Sequence, residues 1–202
     1  MAIGDDISEV LEELGASVEV TPVTGPIVTG EFIIAKNYPE QSTEFIRQNC
    51  WSGTIAYDSV ITEGFILSFS GIKTIVMNVK PDVFEDSTII KNIFMVETNV
   101  EGRFGNIVKQ RDPITKELTE TLDFVISTIG LQIEDNRLPF TDITPMQREP
   151  ASSDVLYIPN RDISVGQVWT PSLTEQTERY EVVNFSYRIY KNMMKVSLRK
   201  ME

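Results

Sequence analysis

Residues 51–79 read WSGTIAYDSVITEGFILSFSGIKTIVMNV. Three runs stand out: Trp51-Ser-Gly-Thr-Ile-Ala-Tyr, Gly64-Phe-Ile-Leu-Ser-Phe-Ser and Ile72-Lys-Thr-Ile-Val-Met-Asn-Val. Each is short, rich in β-branched and aromatic side chains, and set off by glycine or acidic residues. Such side chains suit a pleated, half-buried surface. Short strands at this spacing predict a mainly β fold, an antiparallel barrel or sandwich.

The pattern continues outward in both directions. Ser17-Val-Glu-Val-Thr alternates like a strand until Pro22 and Gly25-Pro26 break it, and Glu31-Phe-Ile-Ile-Ala reads as another. Residues 37–43 read as a loop, and Pro81 to Ser87 as a loop with a single turn. Ile89 to Thr98 returns to strand character. Asn106 to Leu118 predicts a hairpin turning at Asp112-Pro113, because proline presets φ for a turn. Leu122 to Ile129 is a further strand, and residues 134–154, rich in Pro, Asp, Asn and Thr, read as a linker or a long ordered loop. At the C-terminus Gly166-Gln-Val-Trp opens a three-strand meander. Period-two alternation puts Tyr180 and Val182 on one face; Met194, Val196 and Leu198 point one way and Lys195, Ser197 and Arg199 the other.

The exception is the N-terminus. Ile3, Ile7, Val10, Leu11 and Leu14 recur at helical spacing and share one face. Asp6 with Glu9 has the form of a capping box, and Gly15 is placed to stop the helix. So short a helix must dock its apolar face, either on its own domain or on a neighbouring subunit. The resulting division is an N-terminal amphipathic helix (1–16), a main β domain (17–133), a loop or linker (134–160) and a C-terminal meander packed on the main domain (161–202). Asp58 to Gly64 and Asp162 to Gly166 each place isoleucine three residues before glycine. The strand pairs that follow end in Ile75-Val-Met-Asn-Val and Tyr180-Glu-Val-Val-Asn, a faint internal echo that only the fold can weigh.

The 202 residues are 41% hydrophobic and 24% charged, enough for a substantial core. No apolar run approaches the ~18 residues of a membrane-spanning helix, and no secretory signal is expected from the first residues. The single cysteine, Cys50, allows no internal disulfide and reads as a buried filler rather than a nucleophile. Histidine is absent, which excludes Ser-His-Asp, Cys-His and histidine-metal sites within the chain. A net charge of −12 disfavours sequence-independent nucleic-acid binding.

Other constellations carry little chemistry. Asp5 with Asp6, and Glu12 with Glu13, are helix neighbours whose side chains diverge. Glu101-Gly-Arg-Phe-Gly-Asn lacks the lysine and hydroxyl of a phosphate loop and reads as a hairpin turn. Asp82, Glu85 and Asp86 lack the spacing of a calcium loop. No catalytic residue, metal or cofactor is expected. Trp51, Trp169, Tyr180 and Tyr187 read as core. The last segment is locally basic. Arg188, Lys191, Lys195, Arg199 and Lys200 form either a solvated strand face or a contact with the acidic surface of a like subunit; Ile7 and Leu11 on the helix's apolar face are the other candidate subunit contacts.

One stretch resembles a known family. Ile55-Ala-Tyr-Asp-Ser-Val-Ile-Thr-Glu-Gly-Phe-Ile-Leu, then Lys73-Thr-Ile-Val-Met-Asn-Val-Lys-Pro-Asp-Val-Phe-Glu-Asp-Ser-Thr-Ile-Ile, then Phe94-Met-Val-Glu-Thr-Asn-Val-Glu-Gly resemble the head–tail connector and neck proteins of tailed bacteriophages. Phe65 stands where that family has an aspartate after the glycine. The resemblance implies a structural virion protein assembled in the host bacterial cytoplasm. It would form an oligomeric ring that joins the capsid portal to the tail and touches portal, connector and tail proteins. DNA would pass through without specific binding, and neither membrane nor cofactor is involved. A tail or baseplate component is the alternative within that setting. From other classes, a carboxylate-dependent hydrolase would need two converging acids in a cleft, and a small-ligand-binding barrel would need an open apolar cavity.

Overall fold

The computed structural model describes residues 3–37, 50–114, 116–134, 154–172, 178–187 and 191–201. Among them are one helix, α1 (Ile3–Leu14), and twelve strands. The first six are β1 (Ala16–Thr21), β2 (Val28–Asn37), β3 (Cys50–Ala56), β4 (Ile66–Phe69), β5 (Ile72–Phe84) and β6 (Ser87–Glu97). The second six are β7 (Val100–Arg111), β8 (Leu118–Glu134), β9 (Asp154–Pro159), β10 (Val168–Pro171), β11 (Tyr180–Ser186) and β12 (Met193–Lys200). The fold is mainly β and antiparallel with an N-terminal helix, as the strand spacing predicts, and of barrel and sandwich it is the barrel that forms.

The domain division differs from the expected one. Two compact units form: Met1–Thr98 with Tyr187–Met193, and Asn99–Ser186 with Met194–Glu202. The cause is hydrogen-bond closure. The first six strands close in the order β1–β2–β3–β6–β5–β4, with β4 returning to β1. The second six close as β7–β8–β9–β12–β11–β10, with β10 returning to β7. The C-terminal strands are therefore half of a second barrel, not a meander laid on a domain that ends at residue 133. Part of the expected linker at 134–160 is β9; residues 135–153 lie outside the described residues.

Adding six to each strand number of the first barrel reproduces the second, so one Greek-key topology occurs twice. The echo in the sequence marks its most alike corner. The Gly64 amide donates to the Val76 carbonyl (2.8 Å) and the Val76 amide to the Phe65 carbonyl (2.9 Å). The Gly166 amide donates to the Val182 carbonyl and the Val182 amide to the Gln167 carbonyl, both at 2.8 Å. Both glycines have positive φ, and a bulge follows each valine, between Val76 and Asn78 and between Val182 and Asn184. Ile61 and Ile163, three residues before the glycines, are both buried.

Each barrel has its own core. In the first, Val18, Val20, Ile33, Ile55, Leu67 and Met95 pack together; in the second, Phe104, Leu156, Trp169, Val182, Val196 and Leu198 do. The Phe104 and Trp169 rings meet at 4.7 Å between centroids. Burying a side chain of this size contributes about 1.5–3 kcal/mol. Met194, Val196 and Leu198 are buried together, as the alternation predicts.

α1 docks on β2, β3 and β6 of its own barrel. Leu11 is 3% exposed there, and buried Gly4 sits where a Cβ would lie 2.8 Å from the Tyr57 ring. Gly15 ends the helix, its amide donating to the Leu11 carbonyl at 2.9 Å. The expected capping box does not form, because the helix begins three residues before Asp6. Asp5 and Asp6 instead lie in its first turn, at the positive end of the dipole.

The segment from Pro81 is not a loop. β5 runs on to Phe84, turns through Glu85 and Asp86, and returns as β6. Both turn residues have positive φ, 47° and 64°, the signature of a two-residue hairpin of the primed kind. The hairpin expected from Asn106 to Leu118 does form. Asp112 secures its turn: its side chain accepts from the Ile114 amide (2.7 Å) and its carbonyl from the Lys116 amide (3.0 Å).

Candidate functional site

The cleft between α1 and the first barrel encloses about 190 Å3 and is lined by Ser8, Leu11, Glu12, Glu31, Asp58 and Ser59, among others. Groups in it and beside it serve local structure. Glu31 accepts from the Val60 amide (3.2 Å), and the Tyr57 hydroxyl donates to Asp5 (3.1 Å), a bond that pushes the phenol up. Lys91 donates to the Ser59 carbonyl at 2.7 Å. Among the described residues no Asp or Glu is buried, and no three acidic or cysteine side chains converge to hold a cation.

The carboxyls that shift do so away from acid catalysis, which needs a raised value. Burial pushes Glu63 up. Hydrogen bonds from its own amide, the Thr62 hydroxyl and the Val79 amide, with the charge of Lys191, carry it below its ordinary value. Lys200 first, and Tyr180 second, hold Glu178 down. Burial pushes the Cys50 thiol up, the opposite of what a nucleophile requires.

Of the seven residues expected as subunit contacts, Ile7, Leu11 and Lys191 belong to the first unit and Lys195, Arg199 and Lys200 to the second. Arg199 pairs with Glu181 and Lys200 with Glu178, both within the second unit. Lys195 stands over the Tyr157 ring at 5.3 Å from its centroid. Lys191 acts on Glu63. Leu11 is covered by its own barrel and so cannot reach a neighbour, and Ile7 is half-buried. Arg188 lies outside the described residues.

A different surface emerges from the long hairpins. Beyond its pairing with β10 at Gly102–Gly105, β7 is matched only by β8 among the described residues, from Asn106↔Asp123 to Arg111↔Leu118. At ~3.3 Å per residue this two-stranded arm runs on for about 20 Å. Every residue of β7 in it is exposed. Ile107, Lys109 and Arg111 alternate onto one face, opposite Leu122, Glu120 and Leu118. Phe124 adds to that face, with the Arg103 guanidinium over its ring at 5.9 Å. The other face carries Asn106, Gln110, Thr119, Thr121 and Asp123 beside Val108. The arm is therefore amphipathic, with nothing among the described residues packed on its apolar side. The β5–β6 hairpin is shorter and ends in exposed Val83 and Phe84 beside Asp82, Glu85 and Asp86. Its signal in the sequence was a pair of β-rich flanks, Val83-Phe84 and Ile89-Ile90, around a two-residue turn; Pro81 and the three acids obscured it.

No family model matches the chain, and no curated protein or solved structure matches it.

Proposed function

We propose that this chain is a structural protein of a tailed-bacteriophage virion, joining the capsid portal to the tail as part of an oligomeric ring. The observation that carries this reading is the pair of exposed hairpin arms with apolar side chains. A two-stranded ribbon is marginal in water without a third element against it, so an arm with an apolar face fits a protein that finishes its packing on a partner. The resemblance of residues 55–102 to connector and neck proteins supports the same reading. So does the missing histidine, which leaves surfaces rather than imidazole chemistry as the working part of the chain. With a net charge of −12, a channel built from such subunits forms few phosphate contacts and lets DNA slide.

Sedimentation velocity and negative-stain electron microscopy of the full chain test the reading. Closed rings are the expected result. A protein that stays monomeric at high concentration, alone and with portal protein added, would remove it.

A further inference from the structure

We propose that the acidic tip of the β5–β6 hairpin of one copy docks on the basic, apolar face of the β7–β8 arm of the next copy. The inference rests on the ring reading above and names the two surfaces that would build it. Within the closed barrels no edge strand is left for association; the hairpins that project from them offer surface of their own. The two arms are complementary. The tip, Asp82-Val-Phe-Glu-Asp, carries three acids and no base, with Val83 and Phe84 55% and 49% exposed. The receiving face carries Arg103, Lys109 and Arg111 against the single acid Glu120, with Ile107 and Leu118 as apolar partners. β7 holds no acid between Gly102 and Arg111.

The Lys109–Glu120 pair on that face (2.8 Å) is more than half exposed at both ends. Such a pair contributes little by itself and yields readily to a second carboxylate. The turn gives an independent argument. Asn-Gly is the favoured chemistry where two successive residues need positive φ, yet Glu85 and Asp86 stand there at 47° and 64°. The glutamate in particular costs conformational energy for no contact within the described chain, which fits negative charge kept for a partner. Tip and face are different surfaces, so unless two copies exchange them reciprocally the contact is heterologous and head to tail, which generates a ring where the rotation closes.

Charge reversal decides it. Asp82→Lys with Glu85→Lys and Asp86→Lys reverses the tip; Lys109→Glu with Arg111→Glu reverses the face. Each variant alone is expected to need at least about tenfold more protein to assemble in sedimentation velocity at low salt. Mixing the two reversed proteins restores complementary contacts and is expected to recover assembly. Glu85→Asn with Asp86→Gly controls for folding. It improves the turn, so the thermal midpoint should rise while assembly weakens. If the wild type assembles and neither reversal matters, or the mixture fails to recover, the docking falls and the ring reading stands. If the wild type never assembles, both fall.

Discussion

Gly64 and Gly166 hold the same station in the two barrels, at φ of 82° and 88°. Any side chain there meets the steric cost of the left-handed region, about 1–2 kcal/mol for alanine. Their surroundings differ. A Cβ on Gly166 would meet nothing within 4 Å, whereas one on Gly64 would lie 2.5 Å from the Asn192 carbonyl oxygen. In urea denaturation Gly166→Ala should lose only that backbone cost, and Gly64→Ala clearly more; equal losses would mean that the Asn192 approach is not rigid. Tyr180 offers a second prediction at this scale. Burial first, then the bond it donates to Glu178, raises the phenol well above its ordinary value of 10.0. The folded state therefore keeps a proton that the unfolded state gives up. The resulting stability is fully present below about pH 10 and is lost as pH rises beyond it. Tyr180→Phe should flatten that alkaline decline in thermal unfolding followed from neutral pH upward; an unchanged slope would assign it to other groups, such as Tyr57 or the buried thiol of Cys50.

At the scale of elements, what was local was legible. Period-two alternation marked β12 and its buried Met194, Val196 and Leu198. Helical spacing and Gly15 marked α1, and Asp112-Pro113 marked the turn of the long arm. What depended on distant partners was hidden. Barrel closure rests on β1 meeting β4 and β7 meeting β10, and no run of residues announces such pairings. Thr98-Asn99, where one unit gives way to the other, carries no proline, glycine or charge run to mark it. Pro81 pointed away from a strand, yet it sits in β5 opposite Lys91, where the ribbon tolerates a missing N–H. The arm surface was missed for a related reason: its face exists only once β7 and β8 are in register. α1 supplies a test of its own docking. Leu11→Ala should cost about 2–5 kcal/mol if the site cannot collapse. Hydrogen exchange should locate the loss in α1 and the strands it covers; a change in the second unit's protection instead would contradict separate cores.

At the scale of the whole molecule, one topology is filled in two ways. Where the second barrel pairs Phe104 with Trp169, the first pairs Val20 with Leu67. Two residues before Phe104 stands Gly102, where a Cβ would lie 2.6 Å from the Trp169 ring; two before Val20 stands Val18. The large indole and the bare backbone beneath it form a matched set. Gly102→Ala should therefore cost about 1–3 kcal/mol through overpacking, measured as a lower urea midpoint, and a variant as stable as the parent would show that both the indole and the Thr170 carbonyl, also 2.6 Å from that Cβ, give way. A further consequence concerns errors during folding. Tandem copies of one architecture risk exchanging equivalent strands before either is complete. Here a trespassing β4 would leave an indole-sized hole in the second barrel, and a trespassing β10 would burst the first. Divergent interiors thus act as a sorting code, steering each strand home in a chain whose hydrogen-bond geometry alone could not tell the two destinations apart.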